Sequence, residues 1–256
     1  MPRRLTILAV VALTALAGCT GAFGAGGDGS GDSTATVSLS DVEYPDHASA
    51  DGVANAAAFV DAMAATLEGE GFTANASTFM EGEDGGVAVA QRFTLASDAA
   101  DGQLHWVAHW NASAPAIERY LDGETHYISS SHGVEGEAQS QSTGAYATER
   151  VRGPMGLPLL FQNSDLAASH AVERDGTTLI VYDVVAWGFP DAARHDNATG
   201  QVVVSERGVV TNATVAVPAP LADGWQRYTF DLTAANPDVE APAWVAQANA
   251  TTTTVP

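Results

Sequence analysis

Arg119-Tyr120-Leu121-Asp122-Gly123-Glu124-Thr125-His126-Tyr127 reads as two strands about a tight turn, and the rest of the fold follows from it. Asp-Gly takes up the positive φ angles of a hairpin turn, whose twist matches that of two paired strands. Residues 117–121 and 125–129 on either side carry Ile, Tyr, Leu and Thr, the residue types that suit a pleated surface. The spacing predicts an antiparallel hairpin. Further strand candidates precede it at 72–79, 87–95 and 104–110, and follow it at 178–186, 201–205, 209–217 and 225–232. Glu206-Arg207-Gly208 makes another tight connection. Successive strands with short turns imply an antiparallel sheet with one face covered.

The cover comes from helices. Residues 55–68 are Ala-rich and lack Pro. Val53, Ala56, Val60, Met63 and Leu67 recur every three or four residues, with Phe59 beside that stripe. Asn55 suits the N-cap, and Gly69 or Gly71 stops the helix. A second short helix is expected over Pro158 to Ala168. The stripe Val60, Met63 and Leu67 has two readings, the packing face of a helix on a sheet or part of the lining of a ligand cavity.

Cys19 is the only cysteine. Arg3 and Arg4 precede an apolar run from Leu5 to Ala17, and Leu16-Ala17-Gly18 leads into the cysteine. The run is short for a bilayer span and has the order of a signal peptide. That order resembles the lipobox of bacterial and archaeal lipoproteins. The resemblance implies cleavage before Cys19 and a lipid on its thiol, which would hold the protein on the outer face of the cell membrane. The plainer alternative is an ordinary signal peptide with a cysteine nearby. The expected layout is a signal peptide over 1–18, an anchor and Gly/Ser/Asp-rich tether over 19–43, one domain over 44–248 and a frayed tail over 249–256.

Charge narrows the partners. All ten basic residues are Arg, and 31 residues are acidic. From Cys19 onward 8 Arg stand against 31 acids, a formal charge of −23. Such a surface repels phosphate backbones, which disfavours a nucleic-acid partner. With 46% hydrophobic residues the chain reads as folded, not disordered. An acidic surface without Lys suits concentrated salt, where repulsion is screened within about 3 Å at 1 M. We expect the circular dichroism of the fold to weaken when salt is withdrawn, and an unchanged spectrum would refute a halophilic surface.

Five of the eight Asn lie in N-x-S/T sequons: Asn75, Asn111, Asn197, Asn212 and Asn249. They are candidate glycosylation sites of an exported protein.

Tyr44-Pro45, Asp51-Gly52-Val53 entering the helix, the hairpin at 119–127, Ser205-Glu206-Arg207-Gly208-Val209-Val210 and Pro242-Ala243-Trp244 together resemble haloarchaeal lipoproteins of unknown function. Those proteins are similar in layout to LolA-like lipoprotein carriers and mycobacterial lipid-binding lipoproteins. The resemblance covers roughly 40 to 246. It implies an α+β fold, with a strongly curved antiparallel sheet forming an incomplete barrel under one or two helices. It also implies a lipid or other apolar ligand, with no cofactor and no catalytic residue carried over.

Within Leu104-His105-Trp106-Val107-Ala108-His109-Trp110, a strand puts His105 and His109 on one face and Trp106 and Trp110 on the other. The histidines are then about 13 Å apart, too far to share a metal. Trp106 and Trp110 give a broad apolar surface with two N–H donors, suited to core packing or to a ligand. No G-x-S-x-G, H-E-x-x-H or EF-type loop occurs. His132 with Glu135, and His170 with Glu173, are isolated H-x-x-E pairs. Gly24-Ala25-Gly26-Gly27 has no strand before it and no Lys after it, so it reads as tether. The expected function is a lipid-anchored binding or carrier protein and not an enzyme. The alternatives are a structural or interaction protein of the cell envelope, whose protein partners the sequence does not name, and last an envelope hydrolase.

Overall fold

In the computed structural model the described residues are 35–67, 69–82, 86–110, 116–123, 125–130, 139–142, 156–188, 195–218 and 224–246. They form an α+β fold dominated by one antiparallel sheet. The strands are β1 (Ala35–Val37), β2 (Ala48–Ser49), β3 (Gly52–Val53), β4 (Phe72–Gly82), β5 (Val87–Asp98), β6 (Gln103–Trp110), β7 (Ala116–Asp122), β8 (Thr125–Ser130), β9 (Gln139–Ser142), β10 (Ser164–Arg174), β11 (Thr177–Trp187), β12 (Thr199–Ser205), β13 (Val210–Pro218) and β14 (Gly224–Ala234). Two α-helices, α1 (Ala56–Leu67) and α2 (Leu157–Asn163), a 3-10 turn at Leu39–Asp41 and helical residues 243–246 are the helical elements among the described residues.

Twelve strands lie in the order β1-β10-β11-β12-β13-β14-β4-β5-β6-β7-β8-β9. Two meanders, β4 to β9 and β10 to β14, are therefore joined where β14 pairs with β4. Strands β2 and β3 form a separate small hairpin. Among the described residues the sheet is open, with β1 and β9 as its edges. Laid flat, twelve strands would span roughly 50 Å at about 4.8 Å per step. Yet one contiguous apolar core joins Ile180 and Tyr182 of β11, Val202 of β12, Phe230 of β14, Leu95 of β5 and Leu104 and Leu121 of β6 and β7 with Phe59, Met63 and Phe161 of the helices. Only a strongly curved sheet brings both wings to the same short helices.

The hairpin forms where the sequence predicts, but Asp122 stays in β7 and of the Asp-Gly pair only Gly123 takes a positive φ. Helix α1 begins where expected, with Asn55 Oδ1 accepting the Ala58 N–H at 3.1 Å. Phe59, Val60, Met63, Ala64 and Leu67 form its buried face. At its C-terminal end Thr66 Oγ1 donates to the Arg207 carbonyl, and the Arg207 guanidinium pairs with Glu70, which ties the helix to the β12–β13 turn.

One expectation is corrected. The helix expected over 158–168 ends at Asn163, and 164–174 is strand β10. Leu-Ala-Ala favours a helix in isolation, but this run forms a ladder with β11 from Ser164↔Trp187 to Arg174↔Thr177. Cross-strand pairing overrides the weak local propensity.

The C-terminal segment crosses to the other face. Val239 and Val245 pack with Tyr120 and Tyr127, and the Trp244 indole N–H donates to Glu118 Oε2 at 2.6 Å. Among the described residues no helix is long and apolar enough to cross a membrane.

Candidate functional site

The register of β5 to β8 decides which side chains share the inner, helix-covered face. Leu95 pairs with Trp106, Trp106 with Arg119, and Arg119 with Ile128. One row up, Phe93 pairs with Ala108 and Ala108 with Ile117; the next row pairs Gln91 with Trp110. Trp106 and Trp110 thus share the inner face, as alternation along β6 requires. Trp106 is 7% exposed. Phe93, Trp110 and Ile117 are half-buried and pack against the core.

The wall has specific geometry. The rings of Phe93 and Trp106 stack with centroids 6.1 Å apart and planes 18° apart. The Arg119 guanidinium carbon lies 5.0 Å from the Trp106 ring centroid, a cation–π contact. Arg119 is an Arg at a position where the alternation Leu121, Arg119, Ile117 leads one to expect an apolar residue.

Polar atoms in this wing are left without partners. Trp106 Nε1, Arg119 Nε and Ser97 Oγ are buried and make no hydrogen bond to the described residues. Ser97 faces the same side, paired with Leu104 one row below Trp106, and Leu104, Leu121 and buried His126 continue that row. Leaving such a group unsatisfied costs about 1–3 kcal/mol, so two orphan N–H groups beside one aromatic ring mark a place where an acceptor is missing. Tyr182 Oη, on the opposite wing, is also buried without a partner among the described residues. Burial, with Tyr44 nearby, pushes the Tyr182 hydroxyl well above the usual phenol range, so it stays protonated.

The three helix residues join the same core. Val60 and Met63 have no exposed surface and Leu67 has little. Clefts flank the helix. One of about 200 Å³ includes Phe59, Ala62 and Thr66, and one of about 170 Å³ includes Leu67, Leu179 and Leu232.

The outer face carries the remaining candidates. His105 is half-buried and His109 exposed; His105 Nε2 lies 3.7 Å from Glu118 Oε2. Among the described residues no three His, Cys, Asp or Glu side chains are grouped to hold a metal. His170 and Glu173, three apart on β10, fall on opposite faces. Asn75, Asn197 and Asn212 are exposed. Asn75 and Asn212 lie on either side of Asp231 in register, and Asn75 Nδ2 donates to Asp231 Oδ1 at 3.4 Å. Cys19, Asn111, Asn249, the pair His132 and Glu135, and the Gly24–Gly27 run lie outside the described residues. An open groove of about 740 Å³ is lined by Glu81, Thr199, Ala216, Trp225 and Arg227, and Trp225 is 41% exposed.

Sequence reasoning missed Phe93, Ser97 and Arg119. The signal was present for Arg119. Once the Asp122-Gly123 turn sets the register, Arg119 must share a face with Leu121.

No family model matches the chain, and no curated protein matches it. Solved structures do resemble it. A LolA superfamily protein from Nitrosomonas europaea, NE2245, is 10% identical with a TM-score of 0.27, over 70% of this chain and 91% of that one. LprF from Mycobacterium bovis is 11% identical with a TM-score of 0.34, over 73% of this chain and 95% of that one. MucB, solved in complex with MucA(peri), is 15% identical with a TM-score of 0.34, over 74% of this chain and 59% of that one.

Proposed function

We propose that this protein is a lipid-anchored, extracytoplasmic binding module of the haloarchaeal lipoprotein type that holds a lipid or other apolar ligand against the inner face of its curved sheet. The observation that carries this reading is the Phe93–Trp106 stack on that face, whose indole N–H has no acceptor among the described residues. Ligand sites are mostly apolar walls with a few placed polar groups, and Phe93, Trp106, Trp110 and Ile117 with Arg119 have that make-up. These apolar side chains offer no general acid or base, which favours binding over catalysis. On this reading Val60, Met63 and Leu67 of α1, which join the same core, contribute to the ligand's lining. The lipid on Cys19 and the tether after it hold the domain at the membrane, and glycans on Asn75 and Asn212 occupy the outer face and leave the inner one free.

The test is mass spectrometry of protein purified from its own host in high salt. Organic extraction should release one specific apolar molecule near one equivalent, absent from an unrelated lipoprotein treated alike. The Trp110→Ala variant, at a half-buried position, should carry clearly less. The intact protein should begin at Cys19 with the mass of an attached lipid. Extract no richer than the control would overturn the ligand reading. The exposed Trp225 beside its 740 Å³ groove would then favour an envelope interaction surface.

A further inference from the structure

The geometry points to an amphiphile with an anionic oxygen head as the ligand class, its head held by Arg119 and the Trp106 indole N–H; this rests on the apolar-ligand reading above and deepens it. Indole and guanidinium groups donate hydrogen bonds and accept none, so whatever completes them must be an acceptor. Both unpartnered atoms, Trp106 Nε1 and Arg119 Nε, belong to side chains in contact, with the guanidinium carbon 5.0 Å from the ring centroid. Trp106 is more than nine-tenths buried. Ser97 Oγ, fully buried one row below, is a further polar atom without a partner among the described residues.

The charge of the chain sharpens the point. Acidic residues outnumber Arg 31 to 10, so an Arg would ordinarily find a carboxylate nearby. Arg207 has Glu70 and Arg227 approaches Glu81; among the described residues neither Arg92 nor Arg119 has an acidic partner, but Arg92 is exposed to water whereas Arg119 is half-buried against Trp106. A guanidinium matches carboxylate and phosphate oxygens through two parallel N–H bonds, and such charge-assisted bonds are about twice as strong as neutral ones. The apolar tail would run along Phe93, Ile117 and Trp110, on the same face and in the adjacent rows. Carboxylate and phosphate heads share this chemistry.

The test uses the mature full-length chain in high salt, above the carboxylic acid range, with decanoic acid, decyl phosphate and decanol as probes, titrated by calorimetry. The two acids should bind roughly tenfold or more tightly than decanol. Arg119→Gln should bring the acids down to the level of decanol, Arg119→Lys should restore part of the difference, and Trp106→Phe, which keeps the ring and removes the N–H, should weaken the acids selectively. Whichever acid binds more tightly identifies the head. Equal binding of acids and alcohol to the wild type would overturn the proposal and leave the apolar-ligand reading standing, as would an unchanged preference in Arg119→Gln. Failure of all three probes to bind would overturn both. Should Arg119→Gln not fold, the wild-type acid-to-alcohol ratio decides.

Discussion

Phe59→Ala should destabilise the fold by about 3–5 kcal/mol, the range for emptying a buried aromatic position. Phe59 is almost fully buried on α1, and its ring meets that of Phe161 on α2 edge-on, centroids 5.0 Å apart and planes at 67°. The side chain therefore fills the core and also joins the two helices that cover the sheet. A 200 Å³ cleft at Phe59 and Ala62 leaves room for partial collapse, which places the expected loss toward the lower end. Urea at constant high salt is the suitable denaturant, because guanidinium chloride would change the ionic screening of a −21 chain as it unfolds it. The double variant with Phe161→Ala should lose less than the sum of the single losses, by about 0.5–1.5 kcal/mol for the ring pair. A loss under about 1 kcal/mol for Phe59→Ala would mean that the helix cover contributes little to stability.

Gly200→Ala should cost about 3 kcal/mol or more, although it adds one methyl group. Gly200 lies in β12 at φ 147°, opposite Val215. A Cβ built there would stand 2.1 Å from the Thr214 carbonyl oxygen and 2.7 Å from the Val215 Cα. Both obstacles are backbone of the neighbouring strand, so neither can swing away as a side chain would. Gly176→Ala supplies the control. Gly176 has φ 74° in the β10–β11 turn, with nothing within 4 Å of an added Cβ. That variant should show only the backbone cost, about 1–2 kcal/mol. Equal losses for the two variants would show that the close approach of β12 and β13 is not what requires glycine at position 200.

Much of this fold is legible in local patterns. Asp122-Gly123 places a turn whose chemistry few other dipeptides share. Asn55 and the Val60, Met63, Leu67 spacing place α1, because a cap and a 3.6-residue period are read within one helix. The segment 164–174 was not legible. Its Ala-rich start satisfies a helix as well as a strand, and only the partner strand β11 resolves the ambiguity. The edge strands β1 and β9 were missed for a related reason. They are three and four residues long, too short for alternation to show, and exist through their neighbours β10 and β8.

The candidate site divides in the same way. Alternation along β6 is enough to put Trp106 and Trp110 on one face and to separate them from His105 and His109. It says nothing about which strand lies beside them. That Arg119 stacks on Trp106 from one side while Phe93 stacks on it too depends on the registers of β5, β6 and β7 together. The strands with strong alternation, the first helix and the excess of acidic residues follow from the sequence, because each is a property of neighbours along the chain or of composition. Three features came from the folded chain: β14 closes onto β4, the sheet curls until both wings share one core, and two donors on the inner face lack an acceptor among the described residues. Those depend on pairings between residues more than 150 positions apart, such as Asn75 with Asp231, 156 apart, and a hydrogen bond left unmade has no signature in sequence.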